Sequence, residues 1–573
     1  MSFAAIRNTA SSALTTTQVR LSIAAANIAN ADTAGYTQKT GVQTMTSMGG
    51  LGAGVTVSAI TSAVDKYLLK DMATALTALG AATVNDTFAD RLQALFGAVD
   101  GDDSSTTLAN SVTALETALA QLAGTPESTT LRALVVDALD SLASDLRSAS
   151  SGIQELRANA DSGIEDSVNL VNQQLETIDA LNMLIGMAQA RGESTVDLED
   201  QRNTALQAIA SEMNVSSYVT SDSQMKIYTG SGVALLDSAV HKLSYEASSF
   251  VTTGTVFSPI TVEGQDITGT VTSGTMGALI DQRDEILPLA QDELDELATA
   301  LMGRLNAIYN QGTMLPAPGT LTSTTTVAAT DTFAGTGTLR IATVDDQGAL
   351  VSYGDFDLST FATVSDFVAA INATGSMSAG IDAGGKLTIA STSGDGIALA
   401  DIDSSVSGQG VSDYFGFNDL MTGTSALNIA VRSDIKAKSD TLSMAVLSTD
   451  DSPTIGAKAV SVSSAIASNL QSAMLGETTF SAAGTLSAKA TSFVDYAGLI
   501  ASGAALRADS AATTLTSKQN TYDTLASAFA SQTGVNVDEE TALVTELTQQ
   551  YSTAAQLLQA LNDMFDALLS AVK

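Results

Sequence analysis

The stretch LTQQYSTAAQLLQALNDMFDALLSAV, residues 547–572, sets Leu547, Tyr551, Ala554, Leu558, Leu561, Phe565, Leu568 and Val572 at alternating steps of four and three. That is the spacing of a heptad seam, an apolar stripe that is buried only against a partner helix. A softer seam stands at the other end of the chain in Phe3, Ile6, Ala10, Leu14, Thr17, Leu21, Ala24 and Ile28. Each seam covers 26 residues, about 39 Å of helix at a rise of about 1.5 Å per residue. The two ends can therefore lie side by side over matched lengths. Their charges suit each other as well: residues 1–66 hold four basic and two acidic side chains, whereas residues 535–573 hold one basic and six acidic.

Between the two seams the periodicity changes several times. A polar, glycine-rich stretch from Asn30 to Gly54 leads into Val55–Ile60, which alternates as a short strand does. Helical patterns follow near 64–99, 106–122, 127–150 and 153–190, and Ile164, Val168, Val171, Leu175, Ile178, Leu181 and Ile185 form a further seam. From Asn214 to about Thr272, short alternating runs separated by Gly and Ser predict a β-rich module. A helix returns over Met276–Asn310, strands are expected at Thr338–Thr343 and Lys386–Ala390, with a helix at Val364–Ile371 between them, and from about Val460 the chain is mostly helical again.

The fold class predicted is multidomain α+β, with paired coiled-coil-like terminal helices, a long-helix bundle and β-rich outer domains inserted in the middle. The segments are 1–63 (axial helix and extended loop), 64–213 (first part of a helical bundle), 214–275 (β-rich), 276–319 (helical return), 320–430 (small mixed α/β insertion), 431–534 (return to the helical domain) and 535–573 (C-terminal axial helix).

Composition narrows the function. Of 573 residues 45% are hydrophobic, enough for a substantial core, and 62 Asp+Glu against 25 Lys+Arg give a net charge of −37. A field of that sign repels phosphate backbones and anionic membranes, and no cluster of Lys and Arg offsets it. No apolar run approaches the roughly 18–20 residues that span a bilayer. The N-terminus lacks a basic region followed by an apolar one, which predicts a cytoplasmic protein or one exported without a cleaved signal.

Catalytic and metal constellations are sparse. Without Cys there is no disulfide, thiolate nucleophile or Cys-based metal site. The one histidine, His241, cannot by itself form a two-His metal site and is expected to be an ordinary half-exposed side chain on or beside a strand. Asp100-Gly101-Asp102-Asp103-Ser104 fails the calcium-loop pattern, since Ser105 and Ser111 stand where Gly and Glu are required. Gly50-Leu51-Gly52-Ala53-Gly54 has no following Lys-Ser or Lys-Thr and reads as flexible backbone rather than a phosphate loop. Glu539-Glu540 beside a helix start reads as a favourable helix-dipole contact. No catalytic, cofactor or metal residue is expected, and the protein is predicted not to be an enzyme.

Asn27-Ile28-Ala29-Asn30, followed by Thr33, Gly35 and Tyr36, resembles the motif shared by rod, hook and hook-associated proteins of the bacterial flagellum. At the other end, Gly534-Val535-Asn536-Val537-Asp538-Glu539-Glu540, Gln549-Gln550-Tyr551 and Met564–Leu569 are similar to the C-terminus of the hook-associated protein 1 family, the first junction between hook and filament. Leu198-Glu199-Asp200-Gln201-Arg202 and Gly274-Thr275-Met276-Gly277 fit the same family. Three positions depart from it: Lys39 lies one place after a frequent Arg, Tyr309 replaces a frequent His, and an Arg before Asp65 is absent. The resemblance implies a structural adaptor, exported unfolded through the flagellar type III apparatus and located outside the cell. It implies as partners further copies of itself in a ring or short tube, the hook protein, the second junction protein and an export chaperone that binds the C-terminal helix. Another flagellar axial subunit of hook or filament type, or a secreted surface adhesin or layer protein, is the alternative.

The residues expected to carry self-assembly are Phe3, Ile6, Leu14, Leu21, Asn27, Ile28, Asn30, Gly35 and Tyr36 at the N-terminus, and the eight seam residues Leu547 to Val572 at the C-terminus. A helix with one apolar seam has nowhere to bury it alone, so both ends are expected to be mobile until copies stack.

Overall fold

The computed structural model describes residues 3–48, 51–97 and 108–571. The chain opens with helix α1 (Phe3–Ala29), then an antiparallel hairpin of β1 (Lys39–Met48) and β2 (Leu51–Ser62), then α2 (Lys66–Phe96), α3 (Leu108–Gly124), α4 (Thr129–Arg191) and α5 (Val196–Glu212). Strands β3 (Val215–Val219), β4 (Met225–Thr229) and β5 (Ala234–Leu236) form one small sheet, and two-residue strands at 243–244, 261–262 and 265–266 form another. After α6 (Gly274–Asp281) comes α7 (Leu287–Tyr309). A mixed region of short strands follows, with α8 (Val364–Ala373), α9 (Val411–Phe415) and α10 (Ser433–Ala437); α11 (Ala465–Leu475), α12 (Phe493–Thr533) and α13 (Val537–Ala571) complete the chain. The architecture is mixed α+β, with α1 packed on α13, long helices, and many small sheets in the middle.

Four sequence expectations change. The polar stretch read as extended and flexible is the β1–β2 hairpin, with Gly52 and Gly54 inside β2. Two helices expected at 127–150 and 153–190 are one 63-residue helix, α4. Its Ser-Gly dip at 151–152 does not break it, because the bare Cα of Gly152 admits Leu95, whose methyl would lie 2.4 Å from an added Cβ; packing outweighs weak propensity there. The single helix expected at 276–310 is α6, a π turn at Gln282–Ile286 and α7, with Pro288 at the start of α7 removing a backbone donor. The region after 431 includes strand pairs at 445–447 with 460–462 and 478–480 with 489–491 before the long helix. The acidic stretch 100–104, Gly50 and Val572 lie outside the described residues.

The contacts divide the chain into two compact units. One comprises residues 1–88, 158–283 and 509–573. Its inner stripe is the α4 seam, where all seven residues from Ile164 to Ile185 are at most 6% exposed. Side-chain amides on α4 stand in for a neighbouring strand. Asn172 exchanges two 2.8 Å hydrogen bonds with the backbone of Leu243, and Asn182 exchanges two with Met225. Arg202 of α5 donates to Asn182 and to the Ser223 carbonyl. The buried Arg283–Asp161 pair, with Tyr245 and the Ser248 amide also on Asp161, fastens the segment that follows residue 244.

The other unit comprises residues 89–157 and 284–508. Its α3 and α7 pack on α11. Its mixed region has two three-stranded sheets, one centred on 386–391 and one on 338–344, closed over a core of Phe333, Phe356, Phe367, Phe415 and Phe417 with α8. Arg340 grips Asp355 with two parallel hydrogen bonds of 2.7 and 2.8 Å.

Candidate self-assembly interface

The two terminal motifs meet. Asn27, at the end of α1 and fully buried, donates to the Lys39 carbonyl at 2.9 Å and to the Glu540 carboxylate of α13 at 3.0 Å. Its amide oxygen accepts from the Lys39 N–H and the Tyr36 hydroxyl, both at 3.0 Å. All four hydrogen-bonding positions of one side chain are thus spent on tying α1, the following loop, β1 and α13 together. Glu540 also accepts from Gln38 at 2.7 Å, and its other oxygen is buried without a partner among the described residues.

The loop that delivers these groups is dictated locally. Asn30 closes the last turn of α1 by donating to the Ala26 carbonyl, and a turn follows in which the Tyr36 N–H reaches the Thr33 carbonyl. Its third residue, Gly35, has φ +78, and a Cβ there would come within 2.4 Å of the Thr204 hydroxyl oxygen. Only glycine suits both the angle and the approach.

Lys39 is 5% exposed, and its ammonium pairs with Asp200 of α5 while standing 4.4 Å above the Tyr36 ring. Asp200 also accepts from the Thr37 N–H at 3.0 Å and from its hydroxyl at 2.9 Å. Burial first, then the carboxylates of Asp197, Asp200 and Glu540, push the Tyr36 phenol up to about 12, so it remains a donor to Asn27 at neutral pH. Lys39, Gln38 and Asp200 were not among the residues expected to carry assembly. The Leu198–Arg202 motif was visible in the sequence, but nothing there tied it to residue 39.

Along the helices the arrangement is antiparallel: Asn27 faces Glu540, and Gln18 approaches the Tyr551 hydroxyl at 3.4 Å. This register differs by about one heptad from end-to-end matching of the two seams, so the final residues of α13 continue past the start of α1. One row of each seam is covered within the chain. On α1, Ala10, Thr17, Ala24 and Asn27 are buried, while Ile6, Leu14, Leu21, Ile28, Asn30 and Tyr36 are half-buried and Phe3 and Gly35 are exposed. On α13, Glu540, Leu547 and Leu561 are buried and Ala554 and Leu558 half-buried. The seam opens toward the C-terminal end of α13: Tyr551 is 37%, Phe565 56% and Leu568 54% exposed, and Leu557, Met564 and Leu569 are exposed with them. The inner face of α1 also seats on the hairpin, through Thr16 to the Val55 carbonyl at 3.0 Å and Ser12 from its N–H at 3.2 Å.

Elsewhere, His241 lies just after β5 with Nδ1 2.7 Å from Glu263 and Nε2 3.0 Å from Asp237. Hydrogen bonding to Asp237 and then Glu263 raises its pKa. Its carboxylate partners come from separate turns and were not visible in the sequence. Among the described residues there is no group of three or more His, Cys, Asp or Glu placed to hold a metal, and no helix long and apolar enough to cross a membrane.

Comparison with known proteins bears on the same elements. Residues 8–37 match the flagella basal body rod protein family, and residues 526–571 match the C-terminal family of the flagellar basal body rod FlgEFG proteins. Both ends of the chain are thus similar to flagellar axial proteins, a structural class. Residues 91–321 match the helical domain of flagellar hook-associated protein FlgK. The flagellar hook-associated protein 1 of Salmonella typhimurium and that of Salmonella typhi are each 23% identical over 316 residues, covering 53% of this chain and 56% of theirs. The helical domain and these relatives make the chain similar to flagellar hook-associated protein 1. The match spans about half the length of these curated relatives. The flagellar hook junction protein FlgK from Burkholderia pseudomallei aligns over 83% of this chain and 98% of its own at a TM-score of 0.43 and 17% identity.

Proposed function

We propose that this chain is a structural adaptor that assembles at the distal end of the flagellar hook and forms the junction with the filament by self-association of its terminal helices. The observation that carries this is the half-covered seam. Asn27 and Glu540 fasten α1 to α13 in a fixed antiparallel register, and the pair still exposes Tyr551, Phe565 and Leu568. Burying a large apolar side chain is worth about 1.5–3 kcal/mol, so several such residues per copy favour stacking of one pair against the next. A head-to-tail contact of this kind generates a ring where its rotation closes and a helical tube where it does not.

The hook protein on one side and the second junction protein on the other are the neighbours this role requires. The chain would reach its position outside the cell by the flagellar export route, with a chaperone covering the open face of α13 beforehand. The test is deletion of the gene for this chain in its own host, with electron microscopy of the flagella. Bare hooks with flagellin lost to the medium are expected; normal filaments would overturn the proposal.

A further inference from the structure

With no cysteine and one histidine in the chain, His241 is the residue whose ordinary titration falls between about pH 5 and 8. Both nitrogens of its ring face carboxylates, Nδ1 at 2.7 Å from Glu263 and Nε2 at 3.0 Å from Asp237. A neutral imidazole has one N–H and one lone pair, so only the imidazolium donates to both at once. Asp237 stays ionised beside it: hydrogen bonds from His241 first, then from the Ser238 N–H, hold it below the usual carboxylate range. Glu263 is placed for the contact by an unusual backbone. With Gly264 it forms the two-residue turn between Val262 and Gln265, at φ +51 and +83. The first position of such a turn favours Asn, Asp or Gly, and the glutamate found there has the longer side chain that reaches the ring. The ring thereby ties this exposed hairpin tip to the turn that follows β5, in the neighbouring small sheet. Other charged groups on these elements are engaged elsewhere. Lys226 of β4 donates to the Asp237 carbonyl, Lys242 pairs with Glu176 of α4 at 2.6 Å, and Asp266 accepts from the Thr268 N–H at 2.8 Å. The Tyr228 phenol of β4 is raised by hydrogen bonding with Tyr218. Among the described residues no cation but His241 pairs with Asp237 or Glu263.

We propose that His241 is a proton-operated latch in the β-rich module: as imidazolium it holds the Glu263–Gly264 hairpin tip against the turn after β5, and on losing its proton it lets the tip go. Hydrogen bonding to Asp237 and then to Glu263 raises the histidine's pKa. The latch is therefore fully closed below the ordinary histidine value of about 6.5 and opens as pH rises through the raised one. The buried Ile260, Val262 and Ile267 hold the base of the hairpin, and the Asp161–Arg283 pair fastens the segment before it. Opening thus frees the tip and leaves the rest of the module folded.

The test uses the full chain. With isotope-labelled histidine, the one imidazole signal is followed by NMR through the neutral range. Its midpoint is expected above about 6.5 in the parent and should fall toward that value in Glu263→Gln. Hydrogen exchange, corrected for the intrinsic pH dependence of amide exchange, reads the latch itself. Protection over residues 262–266 should drop several-fold as pH rises through the midpoint, the size expected of partly exposed charge pairs, while protection over residues 164–185 of α4 holds. In His241→Gln, with the fold checked by circular dichroism, protection over 262–266 should show no such step. A midpoint at or below about 6.5 overturns the proposal, as does protection of 262–266 that passes through the midpoint unchanged. A step of the same size in His241→Gln places the titrating group elsewhere and overturns it too. Should His241→Gln fail to fold, Glu263→Gln decides: a midpoint unmoved from the parent's shows that the ring does not pair with Glu263, and the latch falls.

Discussion

Two helices in this molecule carry nearly the same apolar rhythm and meet different fates. In α4 the residues from Ile164 to Ile185 step by fours and threes, and every one is buried within its own unit. In α13 the residues from Leu547 to Leu568 step the same way, and only Leu547 and Leu561 are buried. The difference lies in what surrounds each helix. α4 is flanked by strands docked through Asn172 and Asn182, whereas α13 has α1 on one side and solvent on the other. A heptad states that a helix needs a partner. It does not state whether the partner is in the same chain.

Substitutions along the two seams break this comparison in graded ways. Ile178→Ala empties a fully buried position in α4 and should destabilise the purified chain by about 2–5 kcal/mol, read as a large fall in melting temperature. Asn27→Ala strands the Tyr36 hydroxyl and the Lys39 backbone. At about 1–3 kcal/mol for a buried group left unpaired, it should cost about 2–3 kcal/mol, concentrated in the unit that holds α1 and α13. Phe565→Ala changes a side chain that is 56% exposed and should move monomer stability by no more than about 0.5 kcal/mol while sharply weakening assembly. A melting temperature that falls as far for Phe565→Ala as for Ile178→Ala would show that α13 is already fully partnered within the chain.

Much of this was legible in advance, for reasons that also explain the rest. Periodicity located α1, α13 and the α4 seam because burial on one face of a helix is a local property of sequence. The pairing register was not legible, since a heptad pattern shifted by seven residues looks the same. It is set by the contacts of Asn27 with Glu540 and of Gln18 with Tyr551, pairs more than five hundred positions apart. Lys39 was noticed only as a departure from a family pattern, and its role depends on Asp200, which the fold brings to it from α5. Of the β1–β2 hairpin, alternation marks only Val55–Ile60 within β2, because β1 is polar and rich in Thr and its pairing slips at two bulges. Gly152 misled in the opposite sense, because the neighbour that needs the missing Cβ, Leu95, is far away in sequence.

Residue-resolved hydrogen exchange, on the monomer and on the assembled form, tests the central claim most directly. The account predicts slow exchange over residues 164–185 of α4 in both states, and over residues 562–571 of α13 fast exchange in the monomer that becomes strongly protected on assembly. Equal protection of 562–571 in the two states would contradict it.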